Sequence, residues 1–308
     1  MLSKKIKVAI LGTGNIGTDL CARLLKDPEF EVVAFVGRRV DSPGLQSFEG
    51  KVQNVISNGV TGLASVIDQI EGVFDATSAF DHLEHWEFLK TRGKWMIDLT
   101  PAKIGRPLVP ELVGKVYGME MNENFTSNYS MVTCGGQSSA PLLYAMAAHA
   151  TGISEVEVSS SIASLSAGPA TRKNIDQYIE STENLMNIIT GCKSVKAILI
   201  LNPSEPPVMM RTTVQMKVET SDIASMKLEA ELIVSNINRY VPGYKVVVAP
   251  HITSPGQVSA TIKVTGAGYI LPAYAGNLDI INAAAVETAR RHANNFRLNS
   301  EGNYEPAL

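Results

Sequence analysis

The run Ile6-Lys7-Val8-Ala9-Ile10-Leu11, followed by Gly12-Thr13-Gly14-Asn15-Ile16-Gly17 and then Asp19-Leu20-Cys21-Ala22-Arg23-Leu24-Leu25, limits what this chain can fold into more than any other segment. It reads as strand, glycine turn and helix. A G-x-G-x-x-G sequence in that setting is the fingerprint of a dinucleotide site. Gly12 makes the turn, Gly14 lets a pyrophosphate approach the backbone, and Gly17 lets helix and strand pack closely. Thr13, Asn15 and Ile16 complete the turn and are expected against the same ligand. The next apolar run, Glu31 to Gly37, arrives at the spacing of a βαβ unit. Gly72 to Ser78 and Lys94 to Thr100 read as two further buried parallel strands ending in small polar residues. Open α/β sheets gather ligands at such ends.

Arg38 and Arg39 close the second strand, where an acidic side chain would take the ribose hydroxyls of NAD. Guanidinium groups suit a 2′-phosphate instead, so NAD and NADP both stay open, as do two solvated arginines on a loop. His82 and His85 sit at a spacing that shares one helix face. Without further clustered ligands they are expected on a solvated face and not in a metal site.

At 308 residues the chain is long enough for two domains, and 45% hydrophobic with 19% charged residues excludes a disordered chain. A net charge of -3 argues against a nucleic-acid partner. Val8 to Leu11 is too short to cross a bilayer and runs into a glycine turn, so no membrane association and a cytoplasmic location are expected. Cys21, Cys134 and Cys192 are odd in number and widely spaced, unlike a disulfide framework or a zinc site.

In Met131-Val132-Thr133-Cys134-Gly135-Gly136-Gln137 a thiol stands on a glycine-rich bend ahead of a helix through Pro141, Leu142, Leu143, Met146 and His149. The amides and dipole of the helix end would favour a thiolate at Cys134. Gly135 and Gly136 would leave room for a substrate carbonyl to reach sulfur and amide donors. Locally, a cysteine packed as a small hydrophobe fits as well. From about residue 153 alternating runs imply a sheet with unlike faces: Glu155 to Ile162, Val195 to Leu201, Met209 to Val218, Lys245 to Val248 and Val258 to Val264. Helices are expected near 171–189 and 221–239, giving an α+β domain. The final helix, Leu278 to His292, would return to the first domain. The expected division is 1–131 with 271–308 for NAD(P) binding, and 132–270 for catalysis and oligomerisation. Ser166-Ala167-Gly168-Pro169-Ala170-Thr171-Arg172-Lys173-Asn174 precedes a helix, and its amides with Arg172 suit either an anionic group or simple helix entry. Asn277 is expected as the cap of the last helix.

These segments, in order, resemble the acylating acetaldehyde dehydrogenases, coenzyme A-dependent enzymes that act beside 4-hydroxy-2-oxovalerate aldolases in aromatic catabolism. The likeness covers nearly the full length. It rests on Gly12 to Asp19, Phe74 to Ser78, Asp98 to Pro101, Met131 to Gln137, Ser166 to Asp176, Asn202 to Pro207 and Leu271 to Ile280. The resemblance implies a Rossmann-type α/β domain with an α+β second domain, and Cys134 as the acyl-thioester nucleophile. It also implies that Thr13 to Ile16, Ser166 to Asn174 and Asn277 contact the nicotinamide cofactor, with coenzyme A as co-substrate. A homo-oligomer is implied, and an aldolase as partner. Three departures stand out. Where the family has an aspartate serving as acid or base near the cysteine, this chain has Thr212, which takes up no proton at neutral pH. Glu205, Asp176 and His251 are the conceivable replacements, His251 being more readily a surface residue. Arg39 stands near the family's acidic cofactor residue, and Lys245 to Gln257 is shorter than the family's segment.

Overall fold

The computed structural model describes residues 4–116, 118–121 and 124–300. In chain order the strands are β1 (Ile6–Leu11), β2 (Phe30–Val36), β3 (Asn54–Ile56), β4 (Gly72–Asp75), β5 (Trp95–Asp98), β6 (Arg106–Pro107), β7 (Asn128–Ser130), β8 (Ala150–Thr151), β9 (Glu155–Ala163), β10 (Val195–Asn202), β11 (Met210–Lys217), β12 (Thr220–Ser221), β13 (Tyr244–Ser254) and β14 (Gln257–Val264). The α-helices are α1 (Asn15–Lys26), α2 (Pro43–Gln46), α3 (Ala79–Lys90), α4 (Cys134–Ala147), α5 (Pro169–Lys173), α6 (Ile175–Thr190), α7 (Ile223–Ile237) and α8 (Gly276–Ser300). They form two compact units: Met1–Arg106, Met121–Ser130 and Ala285–Leu308 make the first, and Pro107–Glu120 with Met131–Ala284 the second. The expected division differs in placing 107–120, Met131 and 271–284 with the first domain.

The large sheet runs β3-β2-β1-β4-β5-β7-β6. Every neighbour from β3 to β7 is parallel. Parallel strands are covered on both faces, which is why β1 and β2 are apolar almost throughout and buried along their length. The order reverses between β1 and β4, and such a reversal opens a crevice at the carboxyl ends of the strands. Gly12 follows β1 there with φ 104°, and a side chain on it would meet the Ala76 carbonyl oxygen at 2.4 Å. A side chain on Gly17 would lie 1.9 Å from the Gly12 oxygen. Arg23 and Lys26 occupy the last turn of α1, the end that favours cations. In α8, His292 is buried among Trp95, Phe125, Tyr129 and Phe296. Burial pulls it down to about 4, so it is neutral; Nε2–H donates to the Phe125 oxygen at 2.8 Å and Nδ1 accepts from the Tyr129 hydroxyl at 3.2 Å.

The second unit holds a five-stranded sheet, β10-β9-β11-β14-β13, in which β9 and β10 are parallel and the remaining pairs antiparallel. Alternate residues of β11 are buried: Met210, Thr212, Val214 and Met216. They join Leu142, Leu143 and Met146 of α4, Met186 of α6, and Met226, Ala230 and Ile233 of α7 in one core. Residues 135–143 of α4 are all buried, so this helix sits deep within the unit. Ile200, Val247, Val248 and Ile252 are exposed on β10 and β13, the two edge strands. No helix among the described residues is long and apolar enough to cross a membrane.

Because the Gly12 oxygen fills the space beside Gly17, Gly17→Ala is expected to cost about 1–3 kcal/mol through overpacking. Urea denaturation followed by tryptophan fluorescence reads this in the right place, since Trp86 and Trp95 both belong to the first unit.

Candidate active site

In the first unit a cleft of about 480 Å³ opens over the β1 turn, lined by Gly12, Thr13, Gly14, Arg38, Arg39 and Ser42 on one side and Ala76, Thr77 and Ser78 on the other. Gly14 precedes α1 and no side chain caps the helix there. The space where its side chain would stand is open, with nothing within 4 Å. Thr13 Oγ1 hydrogen-bonds Ser42 Oγ at 2.8 Å, and Gly44 brings its backbone so close that a Cβ would meet the Thr13 oxygen at 2.0 Å. An uncapped helix start, an open glycine and two tightly packed glycines are the cradle that a dinucleotide pyrophosphate requires. Arg38 pairs with Asp81 at 3.2 Å and Arg39 with Asp41 at 3.3 Å, both guanidinium groups about three-quarters exposed. Pairs this exposed contribute little and leave the arginines free to turn toward a ligand.

His82 and His85 are not on a solvated face. Both are buried on α3 and turn inward to Asp75, at the end of β4. Their Nδ1 atoms lie 2.8 and 3.0 Å from Asp75 Oδ2. Burial alone would raise Asp75, but hydrogen bonds from His82, His85 and Thr77 outweigh it and hold the carboxyl well below its usual range. Burial works against a charge on His82, yet Asp75 and Asp98 raise it above the ordinary histidine value. On its other side, Nε2 of His82 lies 2.9 Å from the Asn128 side-chain amide nitrogen. Asp98 is the loser in this cluster: burial pushes it up to about 7 against the pull of His82 and Thr100. Among the described residues no group of His, Cys, Asp and Glu is arranged to hold a metal ion.

In the second unit Cys134 is the first residue of α4, and Thr133 caps that helix by accepting the Gly136 amide at 2.8 Å. The glycines therefore form the first helical turn and not a bend. The Gly136 amide is committed to the cap, which leaves the amides of Cys134 and Gly135 facing the sulfur. The space at Gly135 is occupied too, since a Cβ there would lie 1.8 Å from the Tyr178 hydroxyl oxygen. Burial pushes the Cys134 thiol up to about 11, although the two amides and Tyr178 pull the other way. The thiolate expected at a helix start is thus overridden by desolvation, and the resting group is a thiol at neutral pH. Thr212 is fully buried on β11, directly opposite Ser160 of β9. Its Oγ1 lies 2.9 Å from Ser138 Oγ and 3.1 Å from Ser160 Oγ. Glu205, Asp176 and His251 are all exposed; His251 bonds only the Ala249 oxygen of its own strand, at 3.0 Å.

Residues 134–272 match the sequence family described as prokaryotic acetaldehyde dehydrogenase, dimerisation, and residues 7–123 match the semialdehyde dehydrogenase NAD-binding domain. The acetaldehyde dehydrogenase of Pectobacterium atrosepticum is 42% identical over 285 residues, which is 92% of this chain and 95% of that protein. The chain belongs to the acetaldehyde dehydrogenase family. Other members stand as near: that of Spirochaeta aurantia is 43% identical over 95% of this chain and 96% of its own length, and that of Geobacillus stearothermophilus 41% over 94% and 96%.

In this acetaldehyde dehydrogenase relative, Ser166 to Asn174 and Asn277 belong to the second unit, whereas Gly12 to Gly17, Arg38 and Arg39 belong to the first. Ser166 Oγ donates to the Ala163 oxygen at 2.8 Å, and Pro169–Lys173 form the short α5. Arg172 folds back on its own loop: Nε donates to the Ala167 oxygen at 3.0 Å, and Nη2 to the carbonyl and hydroxyl of Ser164 at 3.0 and 2.8 Å. It stiffens the loop at the helix entry. Asn277 does not cap α8, which begins one residue earlier; it is buried, and its Oδ1 has no hydrogen-bond partner among the described residues. Two residues of the thiol's surroundings, Tyr178 and Ser160, carried no local sequence signal. Tyr178 reads as one apolar position of a helix and Ser160 as one of three consecutive serines.

Asp98 sets a pH dependence whose sign follows from its raised value. From about pH 4 to about pH 7 the folded chain keeps a proton on Asp98 that the unfolded chain gives up. Stability therefore falls as pH rises through that window. Asp98→Asn is expected to flatten the decline, as read from melting temperatures across the range.

Proposed function

We propose that this chain is an acylating aldehyde dehydrogenase that converts a short aldehyde such as acetaldehyde, with coenzyme A and NAD(P), to the acyl-CoA through a thioester on Cys134. The observation that carries this reading is the position of Cys134 at the start of α4 with two backbone amides facing its sulfur. The Cys134 sulfur bonds to the aldehyde carbon, and the Cys134 and Gly135 amides hold the oxygen that becomes negative. A bound nicotinamide supplies the hydride acceptor for the oxidation. Thiolysis by coenzyme A then frees the sulfur. Thioesters suit this role because they are reactive to a second thiol, and membership of the acetaldehyde dehydrogenase family supports the substrate.

For the cofactor, the Gly12 to Gly17 turn would hold the pyrophosphate. Arg38 and Arg39 support use of NADP as well as NAD, since both line the cleft and neither is buried in its ion pair. The family resemblance adds Ser166 to Asn174 and Asn277, and the unpartnered Asn277 Oδ1 suits a carboxamide donor. A homo-oligomer through the second unit is supported by the dimerisation family match and by the exposed Ile200, Val247, Val248 and Ile252. The same resemblance extends the proposal to a 4-hydroxy-2-oxovalerate aldolase as partner and to a place in aromatic catabolism.

Incubation with acetaldehyde and NAD, with and without coenzyme A, tests the reaction: reduced cofactor is expected only when coenzyme A is present. Cys134→Ala should abolish that signal while dinucleotide binding, read by titration, persists; appreciable surviving turnover would sink the assignment. Replacing Arg38 and Arg39 together by alanine should raise KM for NADP about 10-fold or more, the scale of a lost charged hydrogen bond. KM for NAD should stay close to its original value.

A further inference from the structure

Among the described residues of the second unit, no carboxylate or imidazole acts on the Cys134 thiol. Position 212 is a threonine, and the three sequence candidates for its replacement are exposed. What does stand beside the sulfur is the hydroxyl of Tyr178. This tyrosine lies in the first turns of α6 and is buried. Its hydroxyl oxygen makes no hydrogen bond of normal geometry, an unusual state for a buried phenol. It lies against Gly135, the residue after Cys134, with Ser160 Oγ beside it. The missing side chain of Gly135 is what admits it: a Cβ there would stand 1.8 Å from the phenol oxygen and 3.3 Å from Ser160 Oγ.

A row of hydroxyls stands behind it, and its donor directions are determined. Ser138 Oγ donates to the Gly135 carbonyl at 2.9 Å, so it can only accept from Thr212. Thr212, having given its proton to Ser138, accepts from Ser160 at 3.1 Å. Ser160 Oγ stands beside the phenol without a hydrogen bond to it, so the row does not take up the Tyr178 proton. The row ends on a carbonyl, which has no proton to return, so it can orient a hydroxyl but not carry a proton away. The tyrosine is held from its other side as well. Thr182 Oγ1 donates to the Tyr178 carbonyl at 2.8 Å and meets Thr133 Oγ1 at 2.8 Å, which ties α6 to the cap of α4.

We propose, resting on the function proposed above, that Tyr178 is a catalytic residue. Its hydroxyl accepts the Cys134 thiol proton as sulfur bonds to the aldehyde carbon, and delivers its own proton to the aldehyde oxygen. Ser160, Thr212 and Ser138 are positioning residues for that hydroxyl. The step balances: the S–H bond breaks and a C–S bond forms, the C=O double bond becomes C–O–H, and tyrosine ends as it began. No electrons leave the pair of reactants. Burial and the neighbouring thiol keep the phenol well above the ordinary tyrosine value, so it holds its proton throughout the working pH range. Thr212 on this account is no acid or base but a link whose methyl and hydroxyl fill a dry site where a charge would be costly.

The test uses the full chain and two independent readouts. The first is alkylation of Cys134 by iodoacetamide against pH, without aldehyde or dinucleotide, the site being mapped by mass spectrometry. Tyr178→Phe removes a donor to the thiolate, so the midpoint should move to higher pH and the rate near neutrality should fall. The second is turnover, where the same variant should lose about a hundredfold or more in kcat, with KM for the dinucleotide unchanged. Thr212→Val should shift both readouts in the same direction by less, and Thr212→Ser should restore them. Matching urea midpoints show that the variants fold; Tyr178→Phe keeps the ring and its packing. An alkylation profile that does not move in Tyr178→Phe overturns the proposal whatever happens to turnover, and so does an unchanged kcat. If the unaltered chain shows no coenzyme A-dependent oxidation, the proposed function fails, while the alkylation profile still decides the coupling of Tyr178 to Cys134.

Discussion

The burial of α4 against the five-stranded sheet is the constraint on which the site depends. A helix buried at every residue from 135 to 143, with Cys134 half-buried at its start, leaves little freedom in where it begins. Gln137 reinforces this: its Nε2 donates to the Leu108 oxygen at 2.8 Å and to the Met131 oxygen at 3.0 Å, so the chain entering the helix is held by the helix. The Tyr244 hydroxyl donates to the Ser138 carbonyl at 2.8 Å from β13, adding a tie to the sheet. Cys134 inherits its position from these contacts. The same burial sets its chemistry, because desolvation outweighs two helix-end amides and keeps the sulfur protonated.

The two units treat buried charge in opposite ways. Below the dinucleotide cleft, Asp75 and Asp98 share His82, and the cluster balances positive against negative within hydrogen-bond distance. Around the sulfur the groups are neutral hydroxyls. A carboxylate at position 212 would sit in a place with no exposure at all, where ionisation is strongly opposed without a partner. Threonine satisfies the site with two hydroxyl neighbours and no charge. The cost is that the row it joins offers no proton acceptor of its own.

Much of the architecture was legible beforehand. The β1–α1 turn was readable because each glycine answers a separate steric demand: Gly12 and Gly17 meet backbone at under 2.5 Å when given a side chain, and Gly14 meets nothing. The alternation in β9, β11 and β14 was readable because one face of each strand is buried, and period two follows from the pleat. Other readings failed for identifiable reasons. His82 and His85 have the spacing of a surface pair, and only the arrival of Asp75 from a different strand turns them inward. Gly135 and Gly136 suggested open space for a substrate, but α6 fills the first position with a phenol and the cap uses the second amide. Asn277 looked like a cap because it lies near a helix start, and a shift of one residue places it inside.

By itself the sequence determined the local geometry and the family: where the dinucleotide turn lies, which strands are buried on one face or two, and that a cysteine followed by two glycines stands at the entry to a helix. Local sterics and short-range periodicity are written in neighbouring residues, so they survive reading in one dimension. The tertiary structure alone decided that burial raises the Cys134 thiol, that Thr212 is joined to Ser138 and Ser160, and that the Tyr178 hydroxyl lies against Gly135. Those outcomes depend on desolvation and on contacts among β9, β11, α4 and α6, elements far apart in the chain, whose meeting is a property of the packed core.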